Sequence, residues 1–222
     1  MAILTETESR YVRALGLMSG LTLALFFFRL IATQTGRYLF VPGNLILAWL
    51  ALVFGWLLAR HMQQSRKLGW GAVVWALLWL VFLPNAWYVL SDFIHVYPTG
   101  EISQLYDIVL VSVLVISGLT LGFTSLYLVH KQLLKRLTRR ESFMLVEAII
   151  LLSSFAIYMG RVLRWNSWDV ITNPGVLINV SDRLIDPLGA KRADNVTGLF
   201  FILLSAIYIS IWVAAAPRKP RG

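Results

Sequence analysis

The chain has 222 residues, of which 58% are hydrophobic and 14% charged, with a net charge of +9 and no cysteine. A soluble domain carries about 25% charged residues, so the composition indicates a membrane protein. The missing cysteines exclude disulfides, thiol nucleophiles and thiolate metal sites. Lysine and arginine lie in short clusters between apolar blocks and not along one polar face, which favours lipid headgroups over nucleic acid as the partner.

Six apolar blocks follow one another along the chain, each close to the roughly 20 residues that cross a bilayer as a helix. In lipid only helices or closed barrels satisfy their backbone, and the alternation of barrel strands is absent. We therefore predict an all-α, polytopic transmembrane helical bundle, forming a single integral membrane domain over residues 1–222. The predicted spans are 14–32, 42–59, 70–90, 106–129, 143–163 and 196–216.

The first block is longer than the core of a signal peptide, about 7–15 residues, so we expect it to stay as an anchor. The orientation follows from the basic residues in alternate connections. Thirteen lie in the N-terminal segment, the second and fourth connections and the tail, against seven on the other side. Because positive residues concentrate in the cytoplasm, both termini are predicted to be cytoplasmic.

The connection before the last block, from Trp165 to Asp194, is long for a loop inside a compact protein. It carries scattered apolar residues that are broken by Asn173-Pro174-Gly175. We interpret it as an interfacial or re-entrant segment and not as a seventh span.

The third block ends in a polar stripe formed by Asn85, Tyr88, Asp92 and His95. Their spacing of three, four and three residues places them on one face if helical geometry continues past Pro84. Pro84 removes a backbone donor and is able to kink the helix. The stripe lies at the predicted extracytoplasmic end of the third span.

Other spans bring polar residues to the same level. The second and fourth blocks begin there, and the fifth block ends there. A charge near the membrane core costs a few kcal/mol unless it is paired or hydrated, so such a convergence predicts a site. Its further members are Asn44, Asp107, Arg161, Arg164, Asn166 and Asp169.

Two long segments and one short segment of this chain carry a family resemblance. The first is Leu83–Tyr88 followed by Asp92–His95, the second is Gly160–Asp169, and the short one is Asn44–Trp49. They resemble the signatures of a membrane protein family called domain of unknown function 1361. Two positions depart from the pattern: Trp87 stands where the family usually has a second proline, and Ser91 where threonine is common. The resemblance implies a multi-pass bacterial membrane protein, hence the bacterial cytoplasmic (inner) membrane, and implies no particular activity.

Several functions fit this polar level. An interhelical ion-pair clamp would join Asp92 and Asp107 to Arg161 and Arg164. A metal site would use His95 with carboxylates, but the two arginines disfavour a cation, so no metal is predicted. Hydrolysis with Ser91 or Ser167 as nucleophile lacks a supporting motif, and transport through a proline-broken helix lacks a continuous polar path.

We therefore hypothesise a pocket for an anionic lipid headgroup or a small anion, with transport and a purely structural or assembly role as alternatives. Asp92 and His95 would exchange protons. The remaining polar residues would bind the ligand, the anion being held by the arginines. The sequence assigns neither a cofactor nor a protein partner.

Overall fold

Six long helices make up the part of the chain that the computed structural model describes, residues 6–65, 69–162 and 187–215, in which no strand occurs. Each helix is long and apolar enough to cross a membrane, which confirms the predicted all-helical transmembrane fold. The helices are α1 (Glu6–Thr33), α2 (Phe40–Gln64), α3 (Trp70–Tyr88), α4 (Gln104–Leu133), α5 (Arg139–Val162) and α6 (Pro187–Ala215).

Most of the helices extend past the apolar blocks that predicted them. The backbone of a helix continues into the interface, where polar residues are tolerated, so hydropathy alone underestimates its length. The last helix begins at Pro187, so residues 187–194 of the predicted re-entrant segment belong to α6. Residues 163–186, which hold the rest of that segment, lie outside the described residues.

The helices group into two compact units, residues 1–132 with α1 to α4 and residues 133–222 with α5 and α6. In the first unit α2 packs along α3. The Trp79 indole N–H donates to Ser125 Oγ at 2.7 Å, and that hydroxyl donates to the Ala51 carbonyl at 2.7 Å. A chain of two hydrogen bonds therefore ties α3, α4 and α2 together inside the apolar core.

Small residues let α3 and α4 approach closely. A Cβ on Gly118 would lie 2.6 Å from the Ala86 carbonyl oxygen, and one on Gly122 would lie 2.5 Å from the indole nitrogen of Trp87. Close backbone approach through small residues is a common way for helices to associate in membranes.

Helix α1 runs beside α4 at the level of the predicted site. Tyr106 Oη donates to the Leu25 carbonyl at 2.7 Å, and the hydroxyls of Thr22 and Ser117 are 3.2 Å apart. These contacts set the register of the two helices, so that the last turns of α1 face the first turn of α4.

The second unit is the α5–α6 pair. Ser205 donates to Glu147 Oε2 at 2.5 Å, and Phe143 meets Trp212 edge-on with ring centroids 5.4 Å apart. A polar and an aromatic contact thus hold these two helices together.

Candidate functional site at the charged end of the first unit

Helix α3 changes its geometry just before the predicted site. After Tyr88 the chain continues as a 3₁₀ helix, Val89–His95. A 3₁₀ helix has three residues per turn, so Asp92 and His95 lie one turn apart on one face together with Val89. The predicted stripe assumed α-helical spacing. With three residues per turn, Tyr88 does not lie on the face that carries Asp92 and His95.

Asp92 points inward from this 3₁₀ helix. Its side chain is buried, with 2% exposure, and Oδ2 accepts a hydrogen bond of 2.7 Å from the amide Nδ2 of Asn44 in the first turns of α2. The structure thus brings together two of the predicted residues from different helices. An amide donor to a buried carboxylate lowers the free-energy cost of keeping it inside a span.

A second buried carboxylate, Asp107, is held by Arg29 of α1. Arg29 Nε lies 2.6 Å from Asp107 Oδ1, and one terminal nitrogen lies 3.2 Å from Oδ2. The same terminal nitrogen lies 3.1 Å from Glu101 Oε2, in the connection before α4. Arg29 and Asp107 are both almost completely buried, and the fork geometry is the strong, bidentate form of an arginine–carboxylate pair.

The guanidinium of Arg29 has no spare donor. Its second terminal nitrogen reaches the hydroxyls of Thr33 at 3.5 Å and Thr35 at 3.4 Å. A guanidinium carries five N–H groups, and five oxygen contacts are present. We call this arrangement of Arg29, Asp107, Glu101, Thr33, Thr35 and the ring of Tyr38 the Arg29 latch.

Tyr38 connects the latch to the 3₁₀ helix. Its ring centroid lies 4.2 Å from Arg29 Cζ, in cation–π distance. Its hydroxyl donates to the His95 carbonyl at 3.2 Å, and burial raises the pKa of the Tyr38 phenol to about 12. The His95 ring lies 5.1 Å from the ring of Phe40. The buried Tyr38 therefore contacts both the Arg29 guanidinium and the His95 carbonyl.

A second, more exposed ion pair lies over the latch. Arg37 donates to Glu101 Oε1 at 3.1 Å and also bonds the hydroxyl of Tyr97. The hydrogen bond from Arg37 is the main reason that the pKa of Glu101 is held below its ordinary value, with Thr35 and Arg29 adding to the effect against partial desolvation. The same contact raises the pKa of Arg37. Glu101 is thus a shared anion between two arginines.

The other predicted residues take separate positions. Asn85 is half-buried and donates to the Val81 carbonyl of its own helix at 3.1 Å. Tyr88 is half-buried, and its carbonyl accepts a hydrogen bond from Ser91. Arg161 lies half-buried in the last turn of α5, in the second unit. Three predicted residues lie outside the described residues, namely Arg164, Asn166 and Asp169.

Arg29 is the central residue of this cluster that the sequence interpretation did not select, and Glu101 and Tyr38 are two others. Arg29 entered only as one of the basic residues counted for orientation. The available signal was a single arginine one turn before the end of an apolar block, at the level where the Asp107 block begins. Such a charge is expensive in a span unless it is paired, so its position predicts a carboxylate partner at the same depth.

The chemistry of this end is that of paired charges. Within the described residues no group of three histidine, aspartate or glutamate side chains is arranged to hold a metal ion. The described charged side chains of this end in the first unit are two cations, Arg29 and Arg37, and three carboxylates, Asp92, Glu101 and Asp107.

These features define a multi-pass membrane protein, with six helices able to span a bilayer and a charged end built from buried, paired groups. The chain belongs to the family described as protein of unknown function (DUF1361), whose model matches residues 44–211. Arg29 and the whole of α1 precede the matched region. Comparison with curated proteins and with solved structures finds no match.

Proposed function

We propose that the charged end serves first a structural role, in which the Arg29 latch fastens α1 to α4 and to the connection before α4. The observation that supports this is the saturation of Arg29, whose five N–H groups all meet oxygens of the protein itself. A cation with no spare donor, at 1% exposure, is poorly suited to capture a soluble anion. The protein is then a membrane scaffold or assembly component.

A replacement by apolar residues tests this role. Apolar side chains of similar volume often replace a buried ion pair without loss of stability, so the double variant Arg29→Met with Asp107→Leu removes the charges and keeps the packing. For a structural latch, this variant accumulates in the membrane and rescues a deletion strain. Normal accumulation without rescue would show that the charges themselves act on a ligand or a proton.

A second candidate function is proton-linked binding of an anionic lipid headgroup or a small anion beside Asp92. It is favoured by one observation, the burial of Asp92 inside a span with Asn44 as a donor, because ionisable residues in spans commonly mark functional sites. Asp92 and His95 would exchange the proton. The sequence hypothesis adds Arg161, Arg164, Asn166 and Asp169 as ligand-binding residues, the last three of which lie outside the described residues.

Single substitutions separate this candidate from the first. His95→Ala and Arg161→Ala should leave the protein inserted and folded but abolish its cellular effect. If both variants fail to accumulate, their role is structural. Lipid and solute analysis of a deletion strain then tells the activities apart, because a changed lipid indicates an enzyme and the altered accumulation of one solute indicates a transporter.

The proposed location of the charged end is the extracytoplasmic side of the bacterial cytoplasmic membrane, with both termini in the cytoplasm. The uneven distribution of lysine and arginine over the connections supports this orientation. A reporter that is active only outside the cytoplasm, fused after Thr99, should give signal. Signal from a cytoplasm-specific reporter at the same position would reverse the orientation.

A further inference from the structure

The second unit carries an open depression of about 690 Å³ at the beginning of α5, lined by Arg139, Arg140, Phe143, Met144 and Glu147. These residues belong to the first nine of a helix that is long and apolar enough to cross a membrane. The end of such a helix lies where lipid headgroups give way to acyl chains. The depression therefore lies where a headgroup and the first part of its chain would contact the protein.

Two arginines lie at the outer edge of the depression, at the first two positions of α5. Arg139 and Arg140 are both exposed, and within the described part of the chain neither forms a salt bridge. The Arg139 guanidinium carbon lies 5.9 Å from the ring centroid of Phe143, in cation–π distance. Guanidinium groups suit a phosphate, whose oxygens accept their paired donors.

The two carboxylates nearest to these arginines are engaged elsewhere. Glu141 Oε2 accepts the backbone N–H of Thr138 at 2.9 Å and its hydroxyl at 2.8 Å, in the capping box that begins α5. Glu147 Oε2 accepts the hydroxyl of Ser205 in α6 at 2.5 Å. Among the described residues neither carboxylate takes part in a salt bridge, so the guanidinium donors are left for a ligand.

The connection before α5 adds to the positive charge. It supplies the exposed Lys135 and the half-buried Arg136, so residues 134–141 contain four cations and one carboxylate. Basic residues beside a span attract lipids whose headgroups have a net negative charge. A zwitterionic lipid brings its own cation to the same level, which opposes this attraction. The charge therefore favours an anionic lipid over a zwitterionic one.

The rest of the depression includes an apolar wall. Met144 is 62% exposed, and Phe143 is held by its edge-on contact with Trp212, with ring centroids 5.4 Å apart. A flexible thioether beside a fixed aromatic ring makes a surface that fits an acyl chain. Since a soluble anion has no use for such a wall, the combination of arginines and wall favours a lipid.

We propose that this depression binds an anionic glycerophospholipid of the surrounding membrane in preference to a zwitterionic one. The phosphate is held by Arg139 and Arg140, and the beginning of one acyl chain lies against Phe143 and Met144. The lipid is thus a partner of the second unit. The site shares no residue with the Arg29 latch, so its test is independent of the proposed structural role.

The first test is native mass spectrometry of the full chain in detergent, titrated with dioleoyl phosphatidylglycerol. Dioleoyl phosphatidylcholine is the control ligand, because it has the same chains and differs in the net charge of its headgroup. The first phosphatidylglycerol should bind about tenfold or more tightly than phosphatidylcholine, through the attraction of several basic residues. Equal affinity for the two lipids would overturn the proposal without any variant being made.

A double variant then locates the site. Arg139→Gln with Arg140→Gln should weaken the binding of phosphatidylglycerol about tenfold or more and change that of phosphatidylcholine much less. Both side chains are exposed and the capping box is untouched, so the unfolding midpoint should stay near that of wild type. Arg140→Gln alone serves instead if the double variant does not accumulate. A folded variant that keeps the wild-type preference would overturn the site.

A matched control removes two other exposed cations, Arg60 and Lys131, which belong to the first unit. Each lies over a ring of its own helix, Arg60 Cζ at 5.3 Å from the centroid of Trp56 and Lys131 Nζ at 5.6 Å from that of Tyr127. Arg60→Gln with Lys131→Gln should leave the preference for phosphatidylglycerol unchanged. Equal losses in the two double variants would indicate nonspecific attraction and overturn the site.

The deacylated headgroup, glycerophosphoglycerol, tests the role of the apolar wall. It carries the same phosphate without the chains, so a hundredfold excess, on the order of 100 headgroups per lipid, should not displace phosphatidylglycerol from the wild-type chain. Displacement would assign the arginines to a soluble anion and overturn the choice of a lipid.

Discussion

Arg29 and Asp107 meet as a bidentate pair between the end of α1 and the start of α4, with Nε at 2.6 Å from Oδ1 and a terminal nitrogen at 3.2 Å from Oδ2. Both side chains are 1% exposed. Replacing either side chain alone would leave the other charge buried without its partner. The resulting loss of stability is larger than the stability that the intact pair contributes. This asymmetry makes the latch testable by single and double substitution.

Arg29→Met should destabilise the protein by about 3–5 kcal/mol, because Asp107 would remain buried without its cation. The measurement is equilibrium unfolding of the detergent-solubilised protein in a denaturing detergent. Arg37→Met is the matched control, since Arg37 has a side chain that is 35% exposed, and its midpoint should fall much less than that of Arg29→Met. A similar loss in both variants would mean that burial of the pair is not what matters.

The loss of folding stability in acid should depend in part on the protonation of Glu101. Because its pKa lies below the ordinary value of 4.5 in the folded protein, its contribution is fully present above that value and is lost as pH falls through the folded pKa. Wild type should therefore exceed Glu101→Gln by a constant margin from about pH 7 to 5, and the margin should shrink below about pH 4.5.

Arg37 provides the control for this titration, because its hydrogen bond is the main cause of the lowered pKa of Glu101. In Arg37→Gln the acid inflection should move up towards 4.5, the ordinary value for the Glu101 carboxyl. An inflection that stays where wild type has it would assign the acid dependence to another carboxylate.

The six spans were predictable because bilayer thickness imposes a length and an apolar composition that few other structures share. The common level of Asn44, Asp92 and Asp107 followed from the alternation of span directions. The sequence did not predict which residue pairs with Asp107. Several arginines share that level by sequence, and only the register of α1 against α4, set by contacts such as Tyr106 with Leu25, selects Arg29.

Local geometry limited the rest of the site prediction. A proline inside a helix permits a kink, a break or a continuation, and spacing alone does not show that the chain tightens into a 3₁₀ helix at Val89. Tyr38 carried no motif either. Its contacts with Arg29 and His95 depend on the connection between α1 and α2, which hydrophobic periodicity does not describe.

Ser125→Ala should cost about 1–3 kcal/mol, because the buried Trp79 N–H would lose its acceptor and the Ala51 carbonyl its donor. Ser112→Ala is the control, since that hydroxyl bonds only the Ile108 carbonyl of its own helix at 2.7 Å. Adding Trp79→Phe to Ser125→Ala should recover part of the lost stability, because the indole N–H that needs an acceptor is then absent. If the free-energy changes of the two single variants simply add, the two side chains are not coupled.

Gly118→Ala should weaken the packing of α3 on α4. The new Cβ would lie 2.6 Å from the Ala86 carbonyl oxygen, which is backbone and cannot rotate away, so the helices must separate. Overpacking of this kind costs about 1–3 kcal/mol. Gly20→Ala in α1 has no atom within 4 Å of its new Cβ and should gain up to about 1 kcal/mol from helix propensity. The two variants should differ only if α3 and α4 are in close contact at Gly118. Unfolding midpoints that shift in the same direction for both variants would therefore show that the α3–α4 contact is looser than in the structure.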